Sequence, residues 1–303
     1  MPRKSVSTRY GVHNAIRSNN DTGAENVQTK FFSPDGIDKV IQQLQDPEEH
    51  IRGTAAECLG NLCQYENLRA KMITSGVIDK VSKKLQDSDP EVRGTAVECL
   101  GSLCQHENIR ADFFSSNGID RIIEKLQDSD WSVRGAAIEC VGKLCQHQNT
   151  RVKFFPSDGL DKIIAQLQDS DWFVRVTAVE CLGDLCQYED IRSKLISSDG
   201  IDKTVEKLQD SDPNTRSTAV ECLGNLCQYD DIRDKVVLSG GIEKMIENSQ
   251  DSDSEVRTAA ARCLRDLCRY ENVRDKVISA DGISKMETVM FFGDITTRVL
   301  SGS

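Results

Sequence analysis

The 303 residues carry a formal charge of −11, with only 38% hydrophobic and 5% aromatic side chains, a poor supply of apolar bulk for one deep globular core. Arg3, Lys4, Arg9, Arg17 and Lys30 outnumber Asp21 and Glu25 in the first thirty positions, so the remainder carries about −14, the wrong sign for nucleic acid held by counterion release. No window holds the 18 or more apolar residues of a membrane span, and no apolar run follows the basic start MPRKSVSTRY as a secretory signal requires.

Along the chain, residues 1–23 are polar and read as a disordered leader. An array over 24–290 follows, and its first segment, ENVQTKFFSPDG (25–36), matches the later ENIRADFFSSNG, so the array opens in mid-repeat. Six complete 41-residue units then run in register over 36–76, 77–117, 118–158, 159–199, 200–240 and 241–281, the fourth and fifth identical at roughly 25 of 41 positions. In the first unit, Ile37, Val40, Ile41 and Leu44 recur at helical spacing. Ile51, Ala55, Cys58, Leu59 and Leu62 form the stripe of a second helix, and Leu68, Met72 and Ile73 that of a shorter one. Three helices per repeat follow: the short E-N-L-R helix, then two longer ones. Asp89–Pro90 and Asp212–Pro213 predict N-caps with proline at the first helical position. The glycines at 36, 118, 159, 200, 241 and 282 are expected at tight or left-handed corners before the second helix, with the second unit shifted to Gly76 and Val77. GISKMETVMFF begins a seventh unit that loses the pattern, and 291–303 form an irregular tail. With no polar capping repeat at either end, the favoured reading is a piece of a longer array, the other being ends that cap themselves by irregular packing.

Such a unit cannot bury its apolar stripe alone and must stack on its neighbours. The twelve cysteines fall in pairs five residues apart, once per 41 residues. Five residues turn a helix by roughly 140°, so the members of a pair point apart and cannot bridge; free, buried thiols are expected. Zinc needs four converging ligands, and this spacing with four histidines supplies no such set. Gly60, Gly101, Gly142, Gly183 and Gly224, each costing about 1 kcal/mol against alanine in mid-helix, point to close helix packing.

The order of glycine, apolar helix, long helix ending C-L-G-N-L-C and then E-N-L-R resembles the armadillo repeat, and LQDSDPEVRGTAVECLGSLC is similar to a HEAT repeat. The resemblance implies an all-α fold, a right-handed α-α superhelix of armadillo/HEAT type with six complete 41-residue repeats and partial end repeats. It further implies that the aspartate and arginine six residues apart form a ladder of charge-assisted hydrogen bonds between repeats: Asp46 and Arg52, Asp87 and Arg93, Asp128 and Arg134, Asp169 and Arg175, Asp210 and Arg216, Asp251 and Arg257.

In armadillo-type proteins the concave face of the third helix holds extended peptides, importin-like members using a tryptophan and, four residues on, an asparagine. The tryptophan position is filled here by Glu57, Glu98, Glu139, Glu180 and Glu221, then Arg262; the asparagine position reads Asn61, Ser102, Lys143, Asp184, Asn225 and Asp266. The importin clamp is mostly absent, and the expectation is a scaffold binding a basic or mixed-charge peptide, helix or protein along an acidic groove. Trp131 and Trp172, at equivalent places between the second and third helices, are either a binding hot spot or packing across the repeat interface. The alternative function is the ligand-sensing region of a larger intracellular receptor. A third is a HEAT-like enzyme, but di-iron enzymes of that type use several His-Glu dipeptides, and only His106–Glu107 occurs. No phosphate loop or nucleophile set is present. The chain is therefore expected to be non-enzymatic, without cofactor or metal, and cytoplasmic with the nucleus left open.

Overall fold

The computed structural model describes residues 36–280 apart from 116 and 155–157. The leader, the opening half-repeat, Gly282, the seventh unit and the tail lie outside the described residues. Among the described residues the regular structure is helical, in two compact units, one up to Leu103 and one from Cys104.

In the first unit, α1 (Gly36–Gln43), α2 (Glu49–Leu62), α3 (Glu66–Thr74), α4 (Val77–Lys84) and α5 (Pro90–Leu103) follow one another, and the long helices α2 and α5 pack side by side. Ile37, Val40, Ile41 and Leu44 are all buried, whereas Ile51, Cys58 and Ile73 stay half-exposed at the edges of their stripes. The second unit continues with α6 (Glu107–Ser115), α7 (Gly118–Lys125), α8 (Trp131–Cys145), α9 (Gln148–Phe154), α10 (Gly159–Gln166), α11 (Trp172–Leu185), α12 (Glu189–Ser197) and α13 (Gly200–Glu206). A 3-10 turn (Lys207–Gln209) precedes α14 (Pro213–Leu226), α15 (Asp230–Leu238), α16 (Gly241–Asn248), α17 (Ser254–Leu267) and α18 (Glu271–Ser279). The long helices α8, α11, α14 and α17 each pack on the next.

The triplet is short, short, long, not short, long, long. α1 and α4 have 8 residues and α3 has 9, against 14 in α2. The D-S-D cluster stops the earlier helix, because its first aspartate bonds the chain locally: Asp87 accepts from the Asp89 N–H, and Asp128, Asp169, Asp210 and Asp251 repeat the contact. The second aspartate then caps the long helix, Asp171 accepting from the Phe173 N–H and Asp212 from the Thr215 N–H with Pro213 in the first turn. Glu48, in the same place before α2, makes no side-chain cap.

Gly76 takes the expected left-handed corner, but Gly118 and Gly241 do not, since left-handed backbone falls one residue earlier there, at Asn117 and Gly240. Gly118 and Gly159 are themselves helical, and a Cβ on either would overlap the buried ring of Phe113 or Phe154. Close approach also explains the mid-helix glycines: a Cβ on Gly60 would lie 3.2 Å from the Cys99 Cα, and one on Gly183 would lie 2.9 Å from the Cys222 Sγ.

Candidate functional site

Two arginines per repeat fasten the helix ends, and both follow one geometry. Arg52 donates from Nη1 to the carbonyls of Asp46 (3.0 Å) and Pro47 (2.9 Å), so it meets the aspartate six residues back through the main chain. Its other edge donates to the carboxylate of the following repeat, Nη2 to Asp87 at 2.7 Å and Nε at 2.9 Å. The same fork joins Arg134 to Asp169, Arg175 to Asp210 and Arg216 to Asp251 at 2.6 to 2.8 Å. Arg93 and Arg257 make the main-chain half with Asp87 and Asp251. Lys84 and Lys207 add a second cation 3.4 and 3.3 Å from Asp87 and Asp210, and Lys125 lies 3.2 Å from Asp128. Burial works to raise the Asp87, Asp210 and Asp251 carboxyls, but the arginine and amide hydrogen bonds outweigh it and hold them below the usual range.

A second arginine column escaped the sequence reading. Arg69, Arg110, Arg151, Arg192, Arg233 and Arg274 each donate to the carbonyl of the cysteine ending the preceding long helix, closing an orphan acceptor. Arg151, Arg192 and Arg233 also lie 3.7 to 4.2 Å over the rings of Tyr188, Tyr229 and Tyr270 in the following repeat. The visible signal was an arginine recurring every 41 residues, from Arg69 to Arg274, near a recurring tyrosine. These stacks tie one repeat to the next, and no metal-binding cluster occurs among the described residues.

All twelve cysteines are free, and all but Cys58 and Cys263 are buried. Burial pushes the Cys140, Cys145 and Cys186 thiols up to about 12. The Cys222 thiol donates to the Val179 carbonyl of the preceding repeat at 3.5 Å. These thiols are packing elements with weak donors, and burial favours their protonated form.

In the first unit, Glu57 and Asn61 are exposed on α2, while Glu98 is exposed and Ser102 half-buried on α5. In the second unit, Glu139 and Lys143 on α8 form an ion pair at 3.9 Å. Glu180 and Asp184 on α11 meet Glu221 and Asn225 of α14 across a cleft whose described lining holds no lysine or arginine. An adjoining cleft between α14 and α17 shares Glu221, Asn225 and Gln228 and adds Arg262, Asp266 and Arg269. Although Glu180 reaches solvent, partial burial, then Glu139 and Asp184, raises its carboxyl above the ordinary value. Partial burial and neighbouring like charges both disfavour its ionised form.

Trp131 and Trp172 lie away from these clefts, at the starts of α8 and α11. Both rings meet Phe173 edge-on, with centroids 5.6 and 6.1 Å away, so the aromatic cluster bridges two repeats. Trp131 remains 42% exposed and lines a separate shallow cleft with Arg134 and Asp171.

Comparison with known proteins bears on this architecture. The family profile described as the adaptin N terminal region matches residues 37–287. No curated protein sequence matched the chain. Among solved structures, an engineered protein aligns with TM-score 0.67 at 18% identity over 88% of this chain and 68% of its own. A designed armadillo repeat protein in complex with the peptide (KR)4 aligns with TM-score 0.61 at 18% identity over 75% of this chain and 98% of its own. Designed armadillo repeat proteins for modular peptide recognition align with TM-score 0.59 at 18% identity over the same shares. At such identity the likeness is one of fold.

Proposed function

The chain belongs to the adaptin N terminal region family, an armadillo/HEAT-like repeat scaffold, and from that premise we propose that it binds a basic peptide segment in the cleft between α11 and α14. The observation carrying the reading is the cleft lined by Glu180, Asp184 and Glu221, whose described lining offers no cation, with the Glu180 carboxyl raised by partial burial, then by Glu139 and Asp184. Desolvated like charges raise the local negative potential, and a Lys or Arg side chain entering the cleft exchanges that repulsion for charge-assisted hydrogen bonds. The designed armadillo protein solved with (KR)4 supports the same kind of ligand on the same fold. Family and fold are those of repeat scaffolds, and the buried thiols and the tyrosine–arginine stacks work as structure.

Fluorescence anisotropy with a labelled alternating Lys-Arg peptide tests the reading. The variant Glu180→Gln/Asp184→Asn/Glu221→Gln removes three exposed charges and leaves the stack intact. Its Kd should rise by about ten- to a hundredfold at low salt, roughly 1.4 to 2.8 kcal/mol. The wild-type affinity should fall as salt screens the charges. A Kd indifferent to both the triple variant and salt would refute the proposal.

A further inference from the structure

The two clefts that share α14 differ in sign. Between α11 and α14 the charged lining is Glu180, Asp184 and Glu221. Between α14 and α17 it is Glu221 and Asp266 against Arg262 and Arg269. Asp266 is already occupied by Arg265, which lies outside the cleft lining and pairs with it at 3.0 Å. Arg262 and Arg269 are exposed, and among the described residues neither is ion-paired with a carboxylate, Arg269 only lying 5.0 Å from the Tyr270 ring centroid. At the equivalent places of the preceding repeat stand Glu221 and Gln228. Both substitutions move the charge in the same direction at one end of one groove, and packing does not call for either, since both side chains reach solvent.

Resting on the binding proposed above, we infer that the groove across α11, α14 and α17 takes an extended segment of mixed charge. A cationic side chain sits between α11 and α14, and a carboxylate sits between α14 and α17 within reach of Arg262 and Arg269. Packed helices lie about 8–10 Å apart and an extended chain advances about 3.3 Å per residue, so the two ligand charges stand about three residues apart. Glu221 lines both clefts, so the ligand's direction comes from Arg262 and Arg269, which stand in the second cleft alone and repel a cationic side chain placed there.

The test uses the whole chain and labelled peptides on an alanine background: Lys-Ala-Ala-Glu, its reverse Glu-Ala-Ala-Lys, and the all-basic Lys-Ala-Ala-Lys, each repeated once. One direction of the mixed peptide should bind about tenfold tighter than the all-basic one, and the other direction more weakly. Arg262→Glu/Arg269→Gln, which copies residues the fold already carries in the preceding repeat, should abolish that preference and strengthen binding of the all-basic peptide. If the all-basic peptide binds the wild type as well as either mixed one, the inference is overturned and the basic-ligand proposal stands. If no peptide binds, both fall.

Discussion

Arg175→Ala removes the most enclosed fork of the arginine ladder. Arg175 and Asp210 are 9% and 5% exposed at their side chains. The substitution deletes two charged hydrogen bonds to Asp210, at 2.6 and 2.8 Å, and two to the Asp169 and Ser170 carbonyls, at 2.9 and 3.2 Å. Removing one partner of a buried pair costs about 3–5 kcal/mol. Asp210 keeps Lys207 at 3.3 Å and the Asp212 N–H at 3.0 Å, so the loss should fall at the lower end, about 3 kcal/mol. In a stack of nearest neighbours it should be felt where α11 meets α14. Urea unfolding gives the total, and hydrogen exchange should show lost protection in those two helices. A double-mutant cycle with Asp210→Asn should return a coupling of about 1.5–3 kcal/mol. The pH dependence follows from the depressed Asp210 carboxyl. Its contribution is fully present above the unfolded aspartate value of about 4 and is lost as pH falls through the lower folded value. Wild type and variant should therefore converge in acid. An Arg175→Ala penalty below about 0.5 kcal/mol, the range of an ordinary surface change, or strict additivity in the cycle, would refute the assignment of inter-repeat strength to the fork.

Two glycine substitutions should shift stability in opposite directions. A Cβ on Gly53 would meet the Thr95 Oγ1 at 3.7 Å and the Val92 Cγ2 at 4.0 Å, ordinary contacts, so Gly53→Ala should stabilise α2 by about 0.5–1 kcal/mol. Gly159→Ala would drive a methyl into the buried Phe154 ring and should cost about 1–3 kcal/mol; equal melting shifts for the two would contradict the packing argument. For the thiols, raised by burial to about 12 at Cys140, Cys145 and Cys186, modification by a disulfide reagent at mild alkaline pH should proceed only as fast as the protein opens. Rapid labelling of those three in the folded protein, followed by mass spectrometry, would show the helices to be looser than described.

The repeat period, the helical class and most of the buried stripe were legible from residue order, because period and apolar spacing are local properties that six copies reinforce. Asp212–Pro213 announced its helix start for the same reason. The similar shortness of α1 and α3 was not legible, since the apolar spacing through Leu44 cannot show that the Asp46 side chain bonds the Glu48 N–H and ends the helix. Nor was the purpose of Gly118 and Gly159, for glycine in a corner suggests a turn, and only packing shows Phe113 and Phe154 lying where a Cβ would be. The second arginine column recurs in all six repeats, yet for Arg151, Arg192 and Arg233 its meaning depends on a tyrosine one repeat away, and stacking is a tertiary relation.

For the candidate site, counting along the chain placed the glutamates at Glu139, Glu180 and Glu221 on equivalent turns of successive long helices. It did not distinguish Glu139, which pairs with Lys143, from Glu180, which crowds against its neighbours. The difference arises from what lies within a few ångströms, and that is set by how one long helix packs on the next. Sequence alone determined which residues recur and on which face of a helix they fall; tertiary structure decided which charges are spent on the stack and which stay exposed outside it, because electrostatic strength depends on distance and desolvation rather than on order along the chain.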